Sequence, residues 1–216
     1  MNNISIFQNS KILILAPHTD DGELGCGGLI SKAVRQGATV FYAAFSTADE
    51  SVPVSFPSNQ LEVEVKVATQ IIGIEPENLF IYKHTVRKLN YVRQEILEEM
   101  IRLRDKINPD IVILPSRNDI HQDHSTVTAE GIRAFKNCSI LGYELIWNNL
   151  SFATDYFCVL SEDEIEKKIE ALSAYKTQEG KSYMQPSFVR SMAIVRGTQI
   201  NTAYAEAFEV IRWIDR

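Results

Sequence analysis

Apolar residues fall along this chain in two alternating kinds of run. Short continuous runs rich in β-branched residues, Lys11-Ile-Leu-Ile-Leu-Ala16 and Asp110-Ile-Val-Ile-Leu114, predict strands buried on both faces. Longer stretches with apolar positions three and four apart predict helices. The clearest is 91–107, through Val92, Ile96, Met100, Leu103 and Ile107, and it stops at Asn108-Pro109. Residues 29–36 and 60–72 read as helices closed by Gly37 and Gly73, and 123–135 reads as a fourth. Ser161-Glu-Asp-Glu164 has the form of a capping box opening a helix to about Ala174. Residues 38–45 and 79–82 read as further strands, with weaker strand signals at 140–145 and 156–160. The stretch before Leu29 reads as a glycine-bearing turn. Residues 46–58, with two prolines, form a loop long enough to carry function. Alternating strands and helices predict an α/β fold with a mostly parallel sheet and helices on both faces. Ligands of such folds bind beyond the carboxyl ends of the strands.

Composition narrows the field. At ~150 residues per domain, 216 residues predict one domain with additions, here 1–216 as a unit. The 45% hydrophobic and 23% charged residues are ordinary globular values. A net charge of −6 with no basic block excludes nucleic acid as the expected partner. Cys26, Cys138 and Cys158 are odd in number and far apart, which predicts neither a disulfide frame nor a CxxC metal site. A reducing, cytoplasmic setting is expected, since the first residues lack a secretory signal. No apolar run approaches the ~18 residues of a membrane span.

Two of the most apolar strands run straight into polar clusters. The first leads into Pro17-His18-Thr19-Asp20-Asp21, the second into His121-Gln122-Asp123-His124. Three of the four histidines fall there. Imidazole and carboxylate are ligands of a borderline metal such as zinc, whose catalytic sites use three protein ligands plus water. His18 and Asp21 stand three apart and in a helical turn project to one side, as do His121 and His124. Asp20 then points elsewhere, which suits a base. Spacing leaves open which of His121 and His124 is the ligand. A plain helix cap is the competing account of either cluster alone, but not of both at equivalent strand ends. Gly25-Cys26-Gly27-Gly28 lacks the pattern of a nucleotide loop and is read as letting the helix start approach the sheet closely. Cys26 is expected to be a buried structural thiol. His84, without neighbouring ligand types, is expected to be a surface or loop histidine.

The segment 16–28, with its His-Thr-Asp-Asp and glycine-rich turn, resembles the first motif of the PIG-L (LmbE-like) deacetylases. Pro115-Ser-Arg-Asn-Asp-Ile-His-Gln-Asp-His124 resembles their second motif, and Tyr204-Ala-Glu-Ala-Phe208 a third, less diagnostic one. Thr19 stands where the family usually has proline, and Gly22-Glu23 where it often has glutamate first. The resemblance implies a three-layer, Rossmann-like α/β fold. It implies a zinc-dependent N-deacetylase (with Fe²⁺ able to occupy the same ligands) that releases acetate from N-acetylglucosamine-type sugars.

Carried over residue by residue, His18, Asp21 and His124 match the zinc ligands and Asp20 the general base. His121 matches the group that stabilises the transition state or protonates the leaving amine. Asp123 is expected to orient a histidine. Arg87 or Arg93 is expected to bind substrate hydroxyls. Family members are often oligomeric, so a homo-oligomer is expected. The segments 46–58 and 180–191 are expected to form the pocket wall. The rival readings are a receiver-type switch, a metallophosphoesterase and a non-catalytic sugar-binding relative; the complete set of five site residues argues against the last.

Overall fold

The computed structural model describes residues 6–215. Its sheet has seven strands in the order β3-β2-β1-β4-β5-β7-β6. These are β1 (Lys11–His18), β2 (Thr39–Ser46), β3 (Leu79–Ile81), β4 (Ile111–Pro115), β5 (Ser139–Tyr143), β6 (Tyr156–Leu160) and β7 (Tyr204–Arg212). The first five in this spatial order are parallel; β7 pairs antiparallel with β5, and β6 antiparallel with β7. The helices are α1 (Asp21–Arg35), α2 (Gln60–Ile71), α3 (Arg93–Ile107), α4 (Gln122–Ala134), α5 (Glu162–Ser173) and α6 (Pro186–Thr198). The fold is the expected α/β, with a mostly parallel sheet between two helical layers.

Strand β1 shows why the continuous apolar runs arise. Ile12, Ile14 and Ala16 belong to the core shared with α1, α2 and α5, while Leu13 and Leu15 belong to the core shared with α3 and α4. All five are fully buried, so neither face of the strand tolerates a polar side chain. From β1 the chain winds outward to β2 and β3; from β4 it winds the other way to β5. The winding therefore reverses between β1 and β4, and a crevice opens there at the carboxyl ends of the strands.

The expected turn before Leu29 is in fact helix. Helix α1 begins at Asp21 and is broken at Cys26, whose φ and ψ are −147° and 23°. The glycines that mimic a turn in the sequence permit close packing instead: a Cβ on Gly22 would stand 2.4 Å from the Tyr42 ring, and one on Gly25 2.3 Å from Tyr143. The helix predicted from Leu29 onward is the second half of this broken helix. Its amide groups at Gly28 and Leu29 donate to the Glu206 carboxylate at 3.0 and 2.7 Å, and Lys168 donates to the same carboxylate at 2.7 Å. Glu206 thus acts as a cap in mid-helix, which gives Tyr204-Ala-Glu-Ala-Phe208 a structural purpose. Helix α6 and the full length of β7 go beyond the elements read from hydrophobic pattern. The expected capping box at Ser161 is present. Cys26, Cys138 and Cys158 are buried thiols outside any disulfide. Among the described residues, no helix is long and apolar enough to cross a membrane.

Candidate metal centre

Both polar clusters lie at the reversal between β1 and β4. His18 is the last residue of β1, and Asp20 and Asp21 open α1 directly after it. Across the crevice His121 is the residue before α4, and Asp123 and His124 lie in its first turn. Asp20 holds the N-cap position without a capping hydrogen bond from its side chain, so capping does not account for its carboxylate.

Although 106 residues apart, His124 Nε2 and His18 Nδ1 stand 3.3 Å from each other. Asp21 Oδ2 is 3.1 Å from the same His18 nitrogen and 3.2 Å from the same His124 nitrogen. Two ligands ~2.0–2.1 Å from a tetrahedral ion stand roughly 3.3–3.4 Å apart. The three atoms therefore form a triangle close in size to one face of a zinc-sized tetrahedron, and the residues present fit a divalent cation. His121 is close by: ligating atoms of His18, His121 and His124 all lie within 4.8 Å of one another. Its Nδ1, however, accepts a hydrogen bond from the Asp123 amide at 3.2 Å, which leaves Nε2 as the nitrogen available to act in the pocket.

The outer nitrogens of the two triangle histidines are each held by a carboxylate. His18 Nε2 is 2.9 Å from Asp123 Oδ2, the orienting contact expected of Asp123. His124 Nδ1 is 2.7 Å from Asp119 Oδ2. Such partners fix ring orientation and raise ligand basicity. Asp119 escapes the sequence reading because it sits in the loop before the motif; its one signal is a carboxylate five residues ahead of a histidine. It also accepts the His121 amide at 2.8 Å, so it shapes both histidines of the second cluster.

The electrostatics follow from this crowding. Burial alone would lower the His18 value, but Asp21 and Asp123 overcome it and raise it to about 9. Asp21 and Asp119 likewise overcome burial at His124 and raise it to about 10. Asp21 itself, despite burial, is held well below the usual carboxylate range by the two histidines. Burial and the adjacent Asp21 charge push Asp20 up to about 6. His121 is lowered by burial and by the two other imidazoles, which favours its neutral form. Behind the site, fully buried Glu23 accepts from the Tyr42 and Tyr175 hydroxyls at 2.6 and 3.0 Å, and burial raises it to about 8.

His18, Asp20, Asp21, His121 and His124 line a cavity of about 330 Å³, within the usual range for small-molecule sites. The two expected wall segments contribute Ala48 and Ser51, and Lys181 and Tyr183. The two expected arginines part company. Arg87 lines the cavity; its backbone sits in the left-handed region at φ 64° and its amide donates to Asp123 at 2.5 Å. Arg93 does not line it: its guanidinium is turned to buried Glu130, 2.7 Å from Nε. His84 follows β3 in a loop, as expected. It is half-buried there, with Nε2 2.8 Å from Glu99, and lies outside the cavity.

The diacetylchitobiose deacetylase of Thermococcus kodakarensis is 24% identical over 225 residues, covering 93% of this chain and 83% of that protein. Among solved structures, a conserved protein of Thermus thermophilus superposes with a TM-score of 0.80 at 22% identity, covering 96% of this chain and 97% of that one. The 4-carboxy-2-hydroxymuconate hydratase of Pseudomonas putida superposes with a TM-score of 0.75 at 15% identity, covering 96% and 99%. Likeness at such identities shows the shared fold, and one fold here carries differently named activities. The family described as GlcNAc-PI de-N-acetylase matches residues 13–135, which include both polar clusters and more than half of the 216 residues. The chain belongs to this PIG-L family.

Proposed function

We propose that this protein is a metal-dependent amide hydrolase, zinc being the metal of choice, that removes the acetyl group from an N-acetylglucosamine-type sugar and leaves acetate and a free amine. The observation that carries the reading is the triangle of His18 Nδ1, Asp21 Oδ2 and His124 Nε2, open to a cavity that also holds Asp20, His121 and Arg87. When bound, a divalent cation supplies Lewis acidity, lowering the pKa of water toward ~7 and polarising the amide carbonyl.

The remaining chemistry falls to the side chains. Asp20, half-buried and with an affinity for protons near neutrality, takes the proton of the attacking water as the new C–O bond forms. Once protonated, the same carboxyl is an acid beside the nitrogen, and returning that proton to it lets the C–N bond break. Neutral His121, with Nδ1 occupied by the Asp123 amide, presents Nε2–H as a donor to the oxygen on which negative charge develops. Asp123 and Asp119 keep the two ligand imidazoles in orientation. Arg87 reaches the sugar from the cavity wall.

The deciding experiment combines metal analysis with identification of the product. One zinc per chain and acetate release from N-acetylglucosaminides is the expected result. Phosphate release from phosphate esters, or hydration of an unsaturated acid without acetate release, overturns the proposal. A two-metal phosphoesterase is disfavoured because the fourth histidine, His84, is engaged by Glu99 outside the cavity.

A further inference from the structure

Helix α2 carries a carboxylate, Glu64, that is 2% exposed. Neutral donors hold it: Gln60 Nε2 at 3.2 Å, and the amide and hydroxyl of Thr177 at 3.1 and 2.6 Å. Burying a carboxylate in this way is costly, and here it dictates the state of a neighbouring side chain. Thr177 and Gln178 end the short turn Lys176–Gln178 that follows α5. Gln178 is itself only 6% exposed and lines the metal-centre cavity together with Asp20 and Lys181.

Hydrogen-bond counting fixes which end of the Gln178 amide faces which way. A hydroxyl has one hydrogen to donate. At 2.6 Å, the length of a charge-assisted bond, Thr177 donates it to Glu64. Toward Gln178 the same oxygen is therefore an acceptor, and it takes Nε2 at 3.0 Å. Oε1 is left on the other side of the amide with no partner among the described residues. An acceptor so nearly buried and so firmly oriented calls for a donor from outside the chain. Arg87 and Lys181, which line the same cavity, offer donors only. One fixed acceptor among cationic donors suits a hydroxyl, which gives one hydrogen and accepts others. An ether or carboxylate oxygen would leave Oε1 unpaired.

We propose that Gln178 is a specificity-determining residue whose Oε1 accepts a hydrogen bond from a ring hydroxyl of the amino sugar. Glu64, acting through Thr177, is the positioning residue that keeps that oxygen toward the cavity. The proposal rests on the deacetylase reading for its substrate, but binding tests it without turnover. Calorimetry on the zinc-loaded, full-length chain carrying Asp20→Asn supplies the readout. The probes are the methyl glycoside of N-acetylglucosamine and its deoxy and deoxyfluoro analogues at carbons three, four and six. One deoxy analogue should bind at least ~10-fold more weakly than the parent. The fluoro analogue at that carbon should be equally weak, since fluorine cannot donate. Gln178→Met should weaken the parent by a similar factor and bring the three compounds level.

Glu64→Gln gives a result that a merely structural role would not. The Thr177 amide can only donate, so it keeps the new side chain's oxygen on its side and turns the new NH₂ against the Thr177 hydroxyl. That hydroxyl then donates to Gln178, whose amide turns over and presents NH₂ to the cavity. The fluoro analogue should now bind about threefold better than the deoxy one. A Glu64→Gln chain that is less stable in urea but still binds the two equally overturns the role of Glu64. Equal binding of all the deoxy analogues and the parent before Gln178 is changed, or a preference that survives Gln178→Met, overturns the role of Gln178. So does an effect confined to methylation of the amide nitrogen, which would put Gln178 on the scissile bond. Should these preferences hold while the chain with Asp20 restored releases no acetate, the Gln178 assignment stands and the deacetylase reading falls.

Discussion

The carboxylate of Asp123 lies 2.9 Å from Nε2 of His18, a residue 105 positions earlier. The same carboxylate accepts the amides of Arg87 and Leu89. One fully buried group therefore holds the His18 imidazole and also the left-handed backbone at Arg87, which lines the cavity. Removing its charge should be felt at both. Asp123→Asn is expected to weaken zinc binding by ~10–100-fold, as read by competition with a chelator of known affinity. An unchanged affinity would show that the contact does not tune the site.

Asp20 stands apart from the triangle, and its loss should separate chemistry from metal binding. Asp20→Asn is expected to lower kcat by at least ~10²-fold while zinc content stays at the wild-type level. Acetate release at the wild-type rate in a zinc-replete variant would refute Asp20 as the base.

The two arginines give a paired test. Arg87→Ala should raise KM about tenfold or more, because Arg87 lines the cavity. Arg93→Ala should leave KM within about twofold, since Arg93 faces Glu130, and any cost should appear in stability. A KM effect at Arg93 equal to that at Arg87 would contradict this division.

Metal binding should release protons. In the metal-free chain the carboxylates raise His18 and His124 to about 9 and 10, above the ordinary imidazole value of 6.5. Their stabilisation of that state is complete below 6.5 and is lost as pH rises through 9–10. A divalent cation needs both imidazoles deprotonated, so apparent affinity should climb with pH up to that same window and then level off. Calorimetry at pH 7 in two buffers of different ionisation heat counts the protons; none released would be inconsistent with these ligands.

Glu206 should matter to the fold more than to the chemistry. Its carboxylate caps the break in α1 and neutralises Lys168, and both partners are buried. Glu206→Ala leaves that ammonium unpaired and should cost ~3–5 kcal/mol, visible as a lowered urea midpoint. A loss below ~1 kcal/mol would mean that water replaces the carboxylate.

Much of this molecule is written in local pattern. A strand buried on both faces must be apolar at every position, so β1 and β4 are legible as uninterrupted runs, and α3 declares itself through the period of its buried stripe. The two polar clusters are legible for the same reason: carboxylates and imidazoles directly after such strands have no core to enter. Other features depend on contacts between distant segments. Gly22 and Gly25 suit a turn as well as a helix until Tyr42 and Tyr143 are known to press against them. Arg87 and Arg93 look alike along the chain, and buried Glu130 distinguishes them. Asp119 acquires its role from the ring of His124, and the choice of His124 over His121 for the triangle from a separation of 3.3 Å to His18. Periodicity reports which side of an element is buried; it carries no information on which distant side chain fills the space opposite, and that pairing is where this site is made.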